Sequence, residues 1–414
     1  MLKEPMLFVT NLHFSKNGNG GQQRTYHLIK ELSAYCDLVV LSPYNKTDTE
    51  VSSISATFIG NQGVQHLKYY RKTFFLRQIF KVVNAFLRTI GTKHTNTIHM
   101  APSASYVLSK QIQKLKQLKK YRALETIVFD TLNTVVYLKK ELFSNSILNA
   151  HNFDYELVLQ QYNSLKESKA KDYKAKLNTT LKQLNQLKAL EYNIDNYFNE
   201  IWVCSTEDKK KFKNANPSTS VTFYNLPNGS DTDKRTFQTA QHNYKQFLFV
   251  GSLNYAPNYK GLQWFVETIF KYLPKHFQLN IVGKSPDQIN FKYVKDYDNI
   301  NLIGEVKDIS AAYANHDILL VPLLEGSGTR LKILEAMSYG KLVLSTAKGI
   351  EGINAFNGQH YLEFNTLAEF NALIPKFSNT SQLNEMRQHA RHLVEESYSW
   401  KGIVEKYIKD KYGK

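Results

Sequence analysis

Residues 324–346 read LEGSGTRLKILEAMSYGKLVLST, and here the residue types needed for anion chemistry stand together. Gly326, Ser327, Gly328 and Thr329 open directly into a run of helix formers from Leu331 to Met337. A small-residue loop of this kind exposes backbone N–H groups at a helix N-terminus, where the macrodipole favours an anion. Arg330 and Lys332 add cations at that mouth, which suits a phosphate or diphosphate. Glu335, about one turn further in, is placed to accept hydrogen bonds from hydroxyls attached to that phosphate. Loop, cations and carboxylate together describe a site for a nucleotide sugar.

The elements that must position this loop follow a βαβ rhythm. Leu7–Thr10 reads as a buried strand, followed by a loop through Gly18-Asn19-Gly20-Gly21, a helix through Tyr26–Leu32 and a strand at Leu38–Leu41. Further strands fit Thr126–Phe129, Ser146–Ala150 and Ile201–Cys204, with a long polar helical stretch from Tyr155 to about Phe198. Asn216-Pro217 and Leu226-Pro227-Asn228-Gly229 are turn signals, and the weakly patterned segment 226–245 reads as a linker. The rhythm restarts with strands at Phe247–Gly251, Leu279–Gly283, Ile300–Ile303, Ile318–Val321 and Leu342–Leu344, and helical patterns at Leu262–Tyr272 and Ile309–Ala314. Short apolar runs alternating with helices predict two doubly wound α/β domains, whose ligands gather at the carboxyl ends of the strands.

The chain has 414 residues, enough for two domains of about 200 residues each. Cys36 and Cys204 form no spaced pair, so neither a disulfide framework nor a cysteine metal site is expected. The start, MLKEPMLFVTNL, lacks signal-peptide architecture, and no uninterrupted apolar stretch of about 18 residues is present. The net charge of +17 is unevenly spread. Between Val51 and Leu124 there is no Asp or Glu but thirteen Lys or Arg, leaving the rest of the chain near balance. A localised positive field implies an anionic partner.

The order of Gly20-Gly21 after the first strand, His151-Asn152, Pro227-Asn228-Gly229, Val250-Gly251, Ile281-Val282-Gly283 and the GSGTRLKILEAM block resembles a GT-B glycosyltransferase of family 4, in the subgroup with G-S-G-T-R in the loop. The resemblance is dense in the second half and looser between about 50 and 200. It implies two Rossmann-like domains facing a cleft: an acceptor-binding domain at 1–225, a nucleotide-sugar domain at 226–390, and a C-terminal helix, 391–414, returning to the first. It implies a retaining, metal-independent hexosyltransferase without a cofactor. By position, Arg330 and Lys332 would hold the donor diphosphate and stabilise the leaving group, and Glu335 would bind the ribose. His151, after the apolar run Ile147–Ala150, would line the donor sugar. Gly20, Gly21, Gly251, Lys260, Gly326, Gly328 and Thr329 fall on further donor-side positions, and Glu351 on a donor-side loop at 349–352. In many members a carboxylate stands eight residues before the ribose-binding Glu. Here that position is Ser327, and either Glu325 or backbone N–H groups take its place.

The basic zone, 65–122, has internal order. On a helix beginning near Phe74, the residues Phe75, Ile79, Val82, Val83, Phe86 and Ile90 share one stripe, with Arg77, Lys81 and Arg88 opposite. An ordinary helix packed on the sheet has the same pattern. The absence of acidic residues and the aromatic load suit an anionic membrane face instead. The sequence reading is therefore a cytoplasmic enzyme, peripheral on the membrane, that transfers sugar to a glycan or lipid-linked acceptor and does not bind nucleic acid. Its rivals are a nucleotide-sugar epimerase of the same fold and a non-catalytic basic adaptor.

Overall fold

Runs such as Met6–Val9 and Leu38–Leu41 are apolar without alternation and too short to be helices, so they become central strands covered on both faces. In the computed structural model the described residues are 4–16, 18–42, 51–60, 102–135, 142–167, 173–238, 240, 244–284, 297–326 and 329–413. Ser327, Gly328 and the stripe at 74–90 lie outside them. The chain divides into two compact units, Met1–Leu226 with Val404–Lys414, and Pro227–Ile403.

The first unit holds a seven-stranded sheet: β1 (Pro5–Val9), β2 (Asp37–Ser42), β3 (Thr57–Gly60), β4 (Thr126–Asp130), β5 (Asn145–Asn149), β6 (Glu200–Val203) and β7 (Thr222–Asn225). The order is β3-β2-β1-β4-β5-β6-β7, and every pairing is parallel. The second unit repeats the plan with β8 (Gln246–Val250), β9 (Gln278–Val282), β10 (Ile300–Gly304), β11 (Ile318–Val321), β12 (Leu342–Ser345) and β13 (Leu362–Glu363), ordered β10-β9-β8-β11-β12-β13. In both sheets the order reverses beside the first strand, the topological switch point at which doubly wound sheets bind ligands. These are the two Rossmann-like sheets of the GT-B fold.

Several local features differ from the sequence expectation for identifiable reasons. Gly20 and Gly21 are not a loop but the first residues of the helix Gly20–Leu32. Asn19 caps that helix and Gln22 returns the bond to the Asn19 N–H, so a capping box starts it earlier than its apolar pattern. The polar stretch after Tyr155 resolves into helices Asp154–Glu167 and Tyr173–Glu191. Three short strands, β3, β7 and β13, were not foreseen; each is a sheet edge or its neighbour to an edge loop, where little apolar patterning is required.

Two constraints hold the frame. Glu200 on β6 is buried and accepts from Trp202 Nε1 at 2.5 Å, Tyr407 Oη at 2.8 Å and Lys411 Nζ at 2.6 Å, which docks the final residues on the first unit. In the second unit the strand ends of β8 and β9 approach so closely that a Cβ on Gly283 would lie 2.0 Å from the Gly251 oxygen. Among the described residues no helix is long and apolar enough to cross a membrane.

Gly283→Ala must therefore force two backbone segments apart, at a cost of about 3 kcal/mol. Gly358→Ala meets open space and bears only its φ of +81°, about 1 kcal/mol. Urea unfolding of both variants checks this; equal losses would contradict the close approach.

Candidate functional site

In the second unit β11 ends at Val321, and the helix Leu331–Ser338 follows it in the chain. Gly326 has φ +110°, a backbone conformation that L side chains rarely adopt, and a Cβ there would press on the Arg330 guanidinium at 3.0 Å. Arg330 occupies the N-cap position, and no side chain caps the helix. Its first turn contains no acidic residue, so helix dipole and cations act in the same direction. The helix seats its opposite face, Ile333, Leu334 and Met337, on the buried sheet residues Leu248, Leu319 and Val343.

Lys332 points back beneath this mouth. Its Nζ donates to Asn258 Oδ1 at 2.9 Å and lies 5.0 Å from the Phe249 ring centroid. A Cβ on Gly251 would sit 2.6 Å from Asn258 Nδ2 and 2.9 Å from Lys332 Nζ, so only glycine leaves room for the ammonium. Desolvation first, and then the positive charge of Arg330, pull the Lys332 pKa down to about 7, against the opposing pull of Glu335. An ammonium in this state gains most from a multivalent anion that restores its charge.

Glu335 is buried and forms an ion pair with Arg235, Nη2 to Oε1 at 2.9 Å. The sequence reading missed Arg235, because it sits in the weakly patterned linker. Thr329 is buried, and its carbonyl accepts from Asn228 Nδ2 at 3.2 Å. Lys260 and Glu325, both assigned to the donor side by the resemblance, are brought together as an exposed pair at 3.0 Å. Glu351 pairs with Lys348 at 2.5 Å, one turn back along the chain.

The first unit builds a second constellation at its own switch point. Asp130, the last residue of β4, is fully buried and collects four donors. Thr10 Oγ1 and Thr25 Oγ1 each donate to Oδ2 at 2.7 Å, and Asn149 Nδ2 donates to Oδ1 at 2.8 Å. His151 Nε2 lies 3.0 Å from Oδ1. Burial pushes the Asp130 pKa up, but the hydrogen bond and charge of His151 and the two threonine hydroxyls outweigh it and hold the carboxyl below its ordinary value. Asn149 Oδ1 in turn accepts from Arg24 at 2.7 and 3.1 Å. Gly21 lets the His151 ring lie over the first helical turn, since a Cβ there would be 3.2 Å from Nδ1. Thr131, directly after Asp130, has φ +69°, a strained value for a β-branched residue and of the kind found at functional sites.

Behind His151 lies an acidic group that the sequence did not disclose. Glu191 accepts the N–H groups of Asp154 at 2.8 Å and Tyr155 at 2.7 Å, capping the helix that follows the histidine. Burial, with the charge of Asp154 next, raises Glu191 well above its usual range. Burial also raises Asp154, to about 6, with His151 opposing and Asp208 assisting. Among the described residues no group of three or more His, Cys, Asp or Glu is placed to hold a metal ion.

Residues 244–371 match the family model described as glycosyl transferases group 1, which places the loop and helix inside the matched domain. A curated relative, an uncharacterized 44.6 kDa protein in the cps region of Klebsiella pneumoniae, is 30% identical over 174 residues. That match covers 39% of this chain and 45% of the relative, so it spans less than half of either protein. Among solved structures, Anabaena Alr3699/HepE in complex with UDP aligns with TM-score 0.62 at 14% identity, covering 98% of this chain and 99% of that one. The same protein has been solved with UDP-glucose. WaaG, a glycosyltransferase involved in lipopolysaccharide biosynthesis, aligns with TM-score 0.61 at 12% identity over 99% of this chain and 100% of that one. At these identities the structural likeness is one of fold.

The acidic group behind His151 has a consequence for pH. A carboxyl with an unfolded pKa near 4 and a folded value of about 6 keeps its proton longer in the folded state. Its contribution to stability is present at low pH and is lost as pH rises through that window, by on the order of 2 kcal/mol. Asp154→Asn should raise stability at pH 7 relative to pH 4, compared with wild type. Chemical denaturation at both values tests this, and an unchanged pH slope would contradict it.

Proposed function

We propose, taking the glycosyl transferases group 1 match of the second domain as the premise, that this chain is a glycosyltransferase using a nucleoside-diphosphate sugar. The observation that carries the reading is the uncapped N-terminus of helix Leu331–Ser338, with Arg330 at its cap and the desolvated Lys332 beneath it. Such a mouth stabilises the charge that develops on a departing diphosphate, and a fixed cation is worth most where charge forms in the transition state. Glu335, one turn in, is assigned to the ribose.

The reaction breaks the bond from the anomeric carbon to the diphosphate oxygen and forms one to an acceptor hydroxyl oxygen. The hydroxyl proton passes to the departing diphosphate oxygen, on the same face of the sugar, which retains configuration. Charge neutralisation falls to Arg330, Lys332 and the helix, without a metal ion or cofactor. His151, held by Asp130, is assigned to a sugar hydroxyl. The neighbour solved with UDP-glucose favours a hexosyl donor. The relative from a cps region and the lipopolysaccharide enzyme favour a glycan or lipid-linked acceptor in cell-surface polysaccharide synthesis.

Peripheral attachment to an anionic, cytoplasm-facing membrane belongs to the same reading. In the described part of the basic zone Lys110, Lys114, Lys119, Lys120 and Arg122 are exposed, beside an exposed Leu118. Lys116 is not part of that surface: its ammonium donates to the Leu124 carbonyl, and to that of Arg122 at 2.9 Å. The remaining cations suit acidic headgroups, at about 1 kcal/mol per residue near the surface.

Arg330→Ala and Glu335→Ala should each cut consumption of the accepted UDP-, GDP-, ADP- or TDP-sugar at least about tenfold while the circular dichroism spectrum stays unchanged. Near-normal turnover in both variants would remove the site assignment. In sedimentation with phosphatidylserine vesicles, charge reversal at Lys114, Lys119 and Lys120 should weaken binding, and so should added salt. Binding indifferent to both would remove the membrane surface.

A further inference from the structure

The contact that sequence reasoning missed, Arg235 with Glu335, leads beyond the assignment of either residue. Glu335 is buried on the helix that forms the anion mouth, and a buried carboxylate stays ionised only when charge or hydrogen bonds replace its water. Arg235 supplies that charge at 2.9 Å.

The guanidinium is a two-pronged fork able to grip both oxygens of a carboxylate. Here its prongs are divided. Nη2 donates to Glu335 Oε1, while Nη1 donates to Ser230 Oγ. Ser230 Oγ is itself 2.6 Å from Ser338 Oγ, at the far end of the helix that carries Glu335. Arg235 therefore bridges two points of one helix and grips the carboxylate by a single oxygen. Its own placement is fixed from the other side. The guanidinium stacks 5.7 Å from the Tyr339 ring centroid, and the Arg235 carbonyl accepts from Arg391 Nη1 at 2.6 Å. The Tyr313 hydroxyl donates to the Lys332 carbonyl at 3.3 Å, and burial, then the charge of Glu335, raise it well above its ordinary pKa.

We propose that Arg235 is a positioning residue for ribose: by holding Glu335 through one oxygen, it fixes the carboxylate ionised and oriented to receive the vicinal hydroxyls of a ribonucleoside diphosphate. This rests on the donor reading above. It makes the segment after Pro227-Asn228-Gly229 part of nucleotide selection. A vicinal diol presents two O–H donors, which only an ionised and correctly turned carboxylate accepts. Arg235 is thus the source of discrimination against 2′-deoxynucleotides, whereas the diphosphate is held by other groups, at Arg330 and Lys332.

The test is calorimetric and needs no acceptor. Titrations of UDP, GDP and ADP against their 2′-deoxy counterparts, with inorganic pyrophosphate as a base-free and sugar-free probe, are made on the full chain and on Arg235→Ala and Arg235→Lys. Loss of a hydrogen bond to a charged group predicts that the wild type prefers a ribonucleotide by at least about tenfold. In Arg235→Ala that preference falls below about threefold, while pyrophosphate affinity stays within about twofold of wild type. Arg235→Lys, which keeps the charge without the fork, falls between the two. Should Arg235→Ala fail to fold, Arg235→Gln carries the same comparison.

A folded variant that binds pyrophosphate normally and keeps the full ribose preference overturns the proposal alone. A wild type with no preference for ribose also overturns it, leaving the diphosphate site standing. A wild type that binds none of the nucleotides or pyrophosphate overturns the donor reading, and this proposal falls with it.

Discussion

The Lys332 ammonium lies 5.0 Å from the Phe249 ring centroid and donates to Asn258 Oδ1 at 2.9 Å, so an amide oxygen and a ring face stand where water would otherwise surround it. Desolvation, with the charge of Arg330 next, disfavours the charged form and lowers the Lys332 pKa to about 7. Gly251 gives the ammonium space, β8 supplies the phenylalanine beneath, and the helix Leu331–Ser338, which carries the lysine, packs its opposite face against the sheet. The close approach of Gly283 to Gly251, the φ of Gly326 and the position of Arg330 are all arrangements around the same mouth.

The first unit uses the opposite strategy. Asp130 is buried but fully compensated, with four donors around two oxygens. The network reaches from Thr10 after β1, through Asn149 at the end of β5, to Arg24 on the first helix. It draws together the strand ends flanking the switch point and leaves His151 as the member nearest the surface. A compensated anion fixes the geometry of the groups that donate to it.

Legibility from sequence followed the physics of each feature. The strands of both sheets were readable wherever they lie inside, because burial on both faces demands continuous apolar runs; β3, β7 and β13 escaped because edge positions relax that demand. Arg330, Lys332 and Glu335 were readable because loop, cations and carboxylate are contiguous in the chain. Asp130, Arg24 and Arg235 were not, since their meaning lies in contacts across a hundred residues or more in the cases of Arg24 and Asn149, Thr10 and Asp130, and Arg235 and Glu335. One local signal was available and unused: the Asn19 to Gln22 spacing of a capping box would have placed Gly20 and Gly21 inside the helix.

Lys332 is proposed to receive the donor diphosphate, and a proton balance tests it most directly. Calorimetric titration at pH 8 with UDP, GDP and ADP, repeated in buffers of different ionisation enthalpy, measures the protons taken up on binding. A lysine with a free-state pKa of about 7 that becomes fully charged beside the anion predicts uptake of nearly one proton, absent in Lys332→Met. Tight binding without proton uptake, unchanged in Lys332→Met, would contradict the account.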